Sequence, residues 1–153
     1  MDTKSVLISI RPKWCEKIIS GEKTIEVRKT RPKLATPFKC YIYCTRGRPD
    51  MGGSGKVIGE FTCDKVYCIH ERSILEGFLR GTCLTMDEVC DYLGEGDAYL
   101  WHIANLDIYE APVELGELPG MLSLRCDYGA QLWRIDRAPQ DWCYVGGGSG
   151  EPS

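Results

Sequence analysis

Short β-branched runs recur along this chain, each cut off by glycine, proline or a brief helical stretch, and that rhythm confines it to a small mixed fold. Ser5-Val6-Leu7-Ile8-Ser9-Ile10 is apolar and β-branched and stops at Arg11-Pro12, which predicts a first strand. Pro12 suits the opening turn of a helix, Trp14, Ile18 and Ile19 recur near helical spacing, and Gly21 stands where a helix ends. Residues 12–20 therefore predict a short helix. The run Thr24-Ile25-Glu26-Val27-Arg28-Lys29 alternates with period two, which sends Ile25 and Val27 to one side and Thr24, Glu26 and Arg28 to the other. Residues 39–45, 57–67 and 98–109 predict further strands, as do 131–135 after a loop with Pro112 and Pro119; residues 138–145 finish the body. In the middle, Ile74, Leu75, Phe78 and Leu79 share a helical face. A second helix from Thr85 to Leu93 carries a capping box, with Glu88 three residues after Thr85. About six strands, a helix after the first and a helical insert in the middle predict an α+β chain built as a small mixed β-barrel, because closing such a sheet protects its edges.

The chain has 153 residues, enough for one well-buried core and short for two. Residues 1–145 are expected to form a single domain, and the Gly/Ser/Pro-rich 146–153 a disordered tail. No run approaches the roughly 18 apolar residues of a membrane-spanning helix, and the first residues lack a signal-peptide core, so the expected location is cytoplasmic, with no membrane partner. Nine cysteines, an odd number without a secretory segment, argue against a disulfide framework. No Cys-x-x-Cys occurs, and His70 and His102 are isolated, so the spacing predicts neither a metal centre nor a cofactor; most thiols read as small hydrophobes of strands and core. The glycine-rich 50–55 lacks the Gly-Lys-Ser/Thr ending of a phosphate loop and reads as a hairpin connection.

Charge is unevenly spread. Arg11 to Arg48 carries eleven Lys/Arg against three acids, whereas the remainder has a net charge of −11 and the whole chain −3. A basic segment on an acidic chain suits a phosphate-bearing partner, although the same charges also suit a solvated strand and loop.

The run from Ser9-Ile10-Arg11-Pro12-Lys13-Trp14 to Gly21-Glu22-Lys23-Thr24-Ile25-Glu26-Val27-Arg28-Lys29 resembles ASCH-domain proteins, above all those of phages and prophages. Gly55-Lys56-Val57-Ile58-Gly59-Glu60-Phe61 and Arg137-Ala138-Pro139-Gln140-Asp141-Trp142-Cys143-Tyr144-Val145 look like the same group. The resemblance implies a PUA-like β-barrel with a cleft beside it that accepts RNA or a modified nucleobase. Some members are hydrolases. One branch deacetylates N4-acetylcytidine through a Lys-Thr-x-Thr-x-Arg pattern, and another is linked to RNA cleavage. Here Lys23 and Arg28 match that pattern, while Glu26 stands in place of the second threonine, so the acyl-transfer mechanism does not carry over.

Three functions follow as expectations. The first is a binding module for RNA or a modified nucleotide, with Lys23, Thr24, Glu26 and Arg28 reading the ligand and Lys13, Trp14, Tyr43 and Trp142 supporting it by charge or stacking. The second is a hydrolase acting on a modified nucleoside or RNA, with Lys23 and Glu26 as the working groups. The third is a phage-encoded adaptor for a protein partner. Glu26 and Arg28, two apart on a strand, also fit a solvent-facing ion pair worth little. Trp101 and Trp133 read as core, His102 as a surface or cleft-edge residue without a partner, and Glu60 as a candidate for the barrel's cleft.

Overall fold

The computed structural model describes residues 4–47, 54–117, 122–125, 131–134 and 137–146. Its elements are β1 (Ser5–Ile10), α1 (Pro12–Ile19), β2 (Ile25–Arg28), β3 (Phe38–Cys44), β4 (Lys56–Ile69), a helical insert, β5 (Ala98–Val113), β6 (Leu122–Arg125), β7 (Gln131–Arg134) and β8 (Trp142–Val145). The insert comprises α2 (Arg72–Leu75), a 3-10 turn (Glu76–Phe78), α3 (Leu79–Thr82) and α4 (Met86–Leu93). The tail, residues 147–153, and most of the 50–55 connection lie outside the described residues. No helix among the described residues is long and apolar enough to cross a membrane.

All strands join one mixed sheet in the order β2-β5-β4-β3-β1-β8-β6-β7. Six of them make the body, and the short β6–β7 hairpin extends it beyond β8. β1 and β3 run parallel, with Val6 opposite Cys40 and Ile10 opposite Cys44; α1 and β2 occupy the crossover that a parallel pair requires. The sheet curls. β2 and β8 stand far apart in the ladder order, yet Trp101 of β5 meets Trp142 of β8 at a ring separation of 5.9 Å, and the Arg28 guanidinium donates to the Ser9 carbonyl of β1 at 2.8 Å. The segment after β2 completes the seam: Trp142 Nε1 donates to Thr30 Oγ1 at 3.0 Å, and the Lys33 amide donates to the Tyr144 hydroxyl at 2.7 Å. Side chains, with no ladder between β2 and β1 or β8 among the described residues, close this half-barrel.

The core follows the strand period. Val6, Ile8 and Ile10 pack inside the curl with Ile18, Phe61 and Trp101, while Leu7 points the other way to Tyr41, Val57 and Val145. Ile25 and Val27 pack with Leu75, Val89, Leu93 and Leu100 beneath the insert. The insert's first half breaks into short turns instead of one amphipathic helix: Leu75 is fully buried, but Ile74 is half exposed. The second half is the expected helix, and both hydrogen bonds of the Thr85–Glu88 capping box form. Cys15, Cys40, Cys44 and Cys63 are buried, and the described cysteines are free thiols. β5 continues through Pro112 to Val113, past the end expected from sequence, with register shifts against β4 that absorb the irregularity.

Gly59 marks the tightest approach of β4 to β5. A Cβ there would lie 2.5 Å from the Asp107 carbonyl oxygen and 3.0 Å from Ile108 Cα, both of them backbone atoms. Gly59→Ala is therefore expected to cost about 1–3 kcal/mol of stability, read as a lower urea midpoint. An unchanged midpoint would mean the two strands are not held at this spacing.

Candidate functional site

Lys23 reaches its position through the end of α1. Gly21 takes the left-handed conformation (φ +86°) that closes a helix, and the Lys23 amide then donates to the Lys17 carbonyl at 3.0 Å. One residue on, the Thr24 amide donates to the Gly81 carbonyl at 2.8 Å, and the Thr24 carbonyl accepts from the Ile103 amide at 2.9 Å. The insert is thus bolted to the entrance of β2, and there is no spare room: a Cβ on Gly81 would lie 2.8 Å from Thr24 Oγ1.

Beside this junction a cleft of about 790 Å³ opens between β1, β2, α1 and the insert. Its floor is a buried charge cluster. Lys23 is 3% exposed, Glu26 6% and Arg28 8%. Lys23 Nζ donates to the Thr82 carbonyl at 2.6 Å and lies 3.7 Å from Glu26 Oε1, an ion pair beyond hydrogen-bond reach. Glu26 Oε2 accepts from Arg28 Nε at 2.8 Å and is ion-paired with Nη2 at 2.7 Å. Arg28 also donates to the Asp141 carboxylate. Every cation here is spoken for, but Glu26 Oε1 is buried without a hydrogen-bond partner among the described residues. A buried acceptor left unpaired costs about 1–3 kcal/mol, more when charged, so a ligand N–H at that oxygen would be favoured.

Burial acts against the charge on Arg28, but Glu26 and Asp141 outweigh it and hold the guanidinium above its ordinary range. At Lys23 the balance is reversed: burial pushes the ammonium below its usual 10.5, and Glu26 restores only part of the shift. The folded chain then sheds that proton before the unfolded chain does. Where the unfolded state binds more protons, stability rises with pH, so the parent should gain stability relative to Lys23→Met as pH rises from the depressed value toward 10.5. Denaturant midpoints of both proteins across that interval test this; parallel curves would mean Lys23 titrates normally.

Trp14 lines the cleft, with Lys23 Nζ 5.2 Å from its ring centroid. Lys13 is exposed and does not line the cleft, but its Nζ lies 4.6 Å from the same ring. The other sequence candidates are elsewhere. Thr24 precedes β2, is exposed, and turns its hydroxyl toward Gly81, so the expected common face with Glu26 and Arg28 does not form. Tyr43 packs with Leu7 and Val57 on the opposite side of the sheet. Trp142 is wedged between Trp101 and Tyr144, with its indole N–H on Thr30. Glu60 accepts from the Tyr109 hydroxyl at 2.7 Å and pairs with Lys39, away from the cleft. His102 does have a partner, Asp64, at 2.7 Å. The side chain of Trp133 lies outside the described residues.

Sequence reasoning missed Ser9, Thr82, Tyr92 and Asp141. Tyr92 projects from α4 into the cleft, 40% exposed, with Lys29 Nζ 5.0 Å from its ring centroid. Asp141 belongs to the stretch before β8 that resembles the ASCH group, and a single aspartate beside Trp142 carries no spacing signal of its own. The cleft wall holds four cations (Arg11, Lys23, Arg28, Lys29) and three carboxylates (Glu26, Glu88, Asp141), so it is close to neutral and not a polyanion trough. A second cavity of about 590 Å³ is lined by residues 29–35 and Tyr99.

No protein-family model matches the chain. A curated relative, an ASCH domain-containing ribonuclease of Zymomonas mobilis, is 40% identical over 45 residues, which cover 29% of this chain and 30% of that protein. The solved structures give a broader match. The crystal structure of the Z. mobilis ASCH protein aligns with a TM-score of 0.68 at 23% identity, covering 94% of this chain and 88% of that one. Two of its point mutants align at 0.69 and 0.70, with 21% and 22% identity, covering 94% and 96% of this chain and 91% and 92% of theirs. The chain therefore has the fold of the Z. mobilis ASCH protein and shares one 45-residue segment of similar sequence with a ribonuclease of that organism.

Proposed function

We propose that this is an ASCH-type chain whose cleft binds RNA or a modified nucleotide one base at a time. The observation that carries this reading is Glu26 Oε1, buried beneath the cleft without a hydrogen-bond partner among the described residues, ion-paired to Lys23 at 3.7 Å and beside the Arg28 guanidinium. An acceptor beside an ammonium matches a nucleobase edge, which offers an N–H next to a carbonyl or ring nitrogen. Trp14 and Tyr92 supply aromatic walls for the flat faces of such a ligand. The near-neutral wall favours recognition by hydrogen bonds over recognition by charge, so binding of single-stranded RNA should depend only mildly on salt. With one or two phosphates contacted, the slope of log K against log salt is expected near −1, from roughly −0.7 per phosphate.

A thermal-shift and calorimetric series with cytidine, N4-acetylcytidine, other modified nucleosides and a short single-stranded RNA tests the reading. Occupancy at 100 times the dissociation constant adds about 2.7 kcal/mol to stability. If no member of the series moves the parent's unfolding temperature, the cleft does not serve nucleotides.

The depressed ammonium of Lys23, 3.7 Å from a carboxylate oxygen that accepts no hydrogen bond among the described residues, supports a second reading as a hydrolase. There Lys23 and Glu26 would move protons for water attacking an amide or phosphodiester. The ribonuclease name of the Z. mobilis relative supports the RNA version. Turnover of N4-acetylcytidine or single-stranded RNA that vanishes in Lys23→Met would establish it; binding without turnover would leave the module reading alone.

A further inference from the structure

We propose that Cys68, His70 and Asp97 form a metal site of the zinc-binding kind at the base of the helical insert. Their ligand atoms all lie within 4.8 Å of one another, with His70 Nδ1 2.8 Å from Asp97 Oδ1. The sheet brings them together. Cys68 is on β4 and His70 one residue past its end, two apart in sequence, and their ligand atoms come within 4.8 Å of each other. The register Cys68 opposite Tyr99 and Ile69 opposite Ala98, continued by one residue, sets Asp97 across from His70. No spacing rule on the sequence finds this set, because the third ligand comes from the far side of an insert.

The geometry suits a small tetrahedral ion. Zinc bonds of about 2.3 Å to sulfur and about 2.0–2.2 Å to nitrogen and oxygen separate neighbouring ligand atoms by roughly 3.3–3.8 Å. His70 and Asp97 stand closer than that, at 2.8 Å, all three ligand atoms lie within 4.8 Å of one another, and the side chains have room to turn: His70 is 71% and Asp97 41% exposed. Thiolate, imidazole and carboxylate together favour zinc over magnesium or calcium, and three protein ligands on an open surface leave a fourth position for water. The ion would replace the His70–Asp97 contact and displace the Cys68 proton.

Such an ion has something to hold. His70 lies two residues before the insert and Asp97 four residues after it, just ahead of β5, so the metal would tie together the two chain segments that flank the insert, whose Thr82 carbonyl anchors Lys23 and whose Tyr92 lines the cleft. Closing a long loop in this way stabilises the folded arrangement. The inference stands whether or not the cleft takes a nucleotide.

The test uses the full chain, reduced and stripped with chelator, titrated with cobalt as the spectroscopic probe and then with zinc. One equivalent of cobalt is expected to give the visible spectrum of a tetrahedral ion with a thiolate charge-transfer band, which zinc then bleaches. Cys68→Ser should abolish the charge-transfer band, and His70→Ala or Asp97→Ala should weaken cobalt binding at least tenfold. Circular dichroism should stay unchanged, because all three side chains are on the surface. Absence of a thiolate band in the parent would overturn the proposal. So would a band of equal strength in Cys68→Ser, which would assign the metal to another thiol.

Discussion

Arg28→Ala is expected to destabilise the chain by about 3–5 kcal/mol, the usual loss when one partner is removed from a buried ion pair. Glu26 would keep only Lys23 at 3.7 Å, outside hydrogen-bond reach, and both of its oxygens would be left in a buried site. The damage extends to the seam of the half-barrel, because the same guanidinium donates to the Ser9 carbonyl of β1 and to Asp141 just before β8. For a chain of this length the unfolding temperature should fall on the order of 10 °C. Arg28→Lys keeps the charge but loses the planar fork, and should recover only part of the loss. A drop below about 1 kcal/mol for Arg28→Ala would instead place the pair among the screened surface pairs that contribute little.

Lys23→Met should have the larger effect on binding. It removes the Nζ–Thr82 hydrogen bond, but it also lifts the penalty of keeping an ammonium buried, so the two effects on stability oppose each other and the fold is expected to survive. What disappears is the positive charge 3.7 Å from the Glu26 oxygen that accepts no hydrogen bond among the described residues. Affinity for a nucleotide ligand should fall at least tenfold, on the order of 1.4 kcal/mol or more. Arg11→Ala and Lys29→Ala, on the rim, should weaken binding less and mainly flatten its salt dependence. Equal affinity in Lys23→Met and the parent would take the charged floor out of recognition.

Local signals carried most of the architecture. Pro12 and Gly21 bracket α1, the capping box starts α4, and the alternation of β1 to β5 sets their faces. The phase of β2 was also legible, since Glu26 and Arg28 do share a side. Their surroundings were not. Alternation implies a solvated face, yet every residue of β2 is buried, because the curl of the sheet brings β1 and the stretch before β8 over that face. The partner that makes Arg28 tolerable there, Asp141, is 113 residues away. A similar separation, 112 residues to Thr30, hid the role of Trp142, which pattern alone could not separate from a stacking platform. The Asp64 partner of His102, 38 residues away, was hidden because it lies in an irregular stretch of β4 where the register shifts. Thr24 was misplaced by a single residue: its backbone is taken by Gly81 and Ile103, so the strand begins at Ile25.

The central claim, that the cleft over Lys23, Glu26 and Arg28 receives a base of RNA or a modified nucleotide, is tested most directly by mapping amide and indole chemical shifts during titration with a short single-stranded RNA. The expected result is a contiguous set of perturbations at the Trp14 indole and the backbone of Lys23–Lys29, Leu84, Tyr92 and Asp141, with the indoles of Trp101 and Trp142 moving little. Saturable shifts confined to other surfaces, or none at all while the protein remains folded, would contradict it.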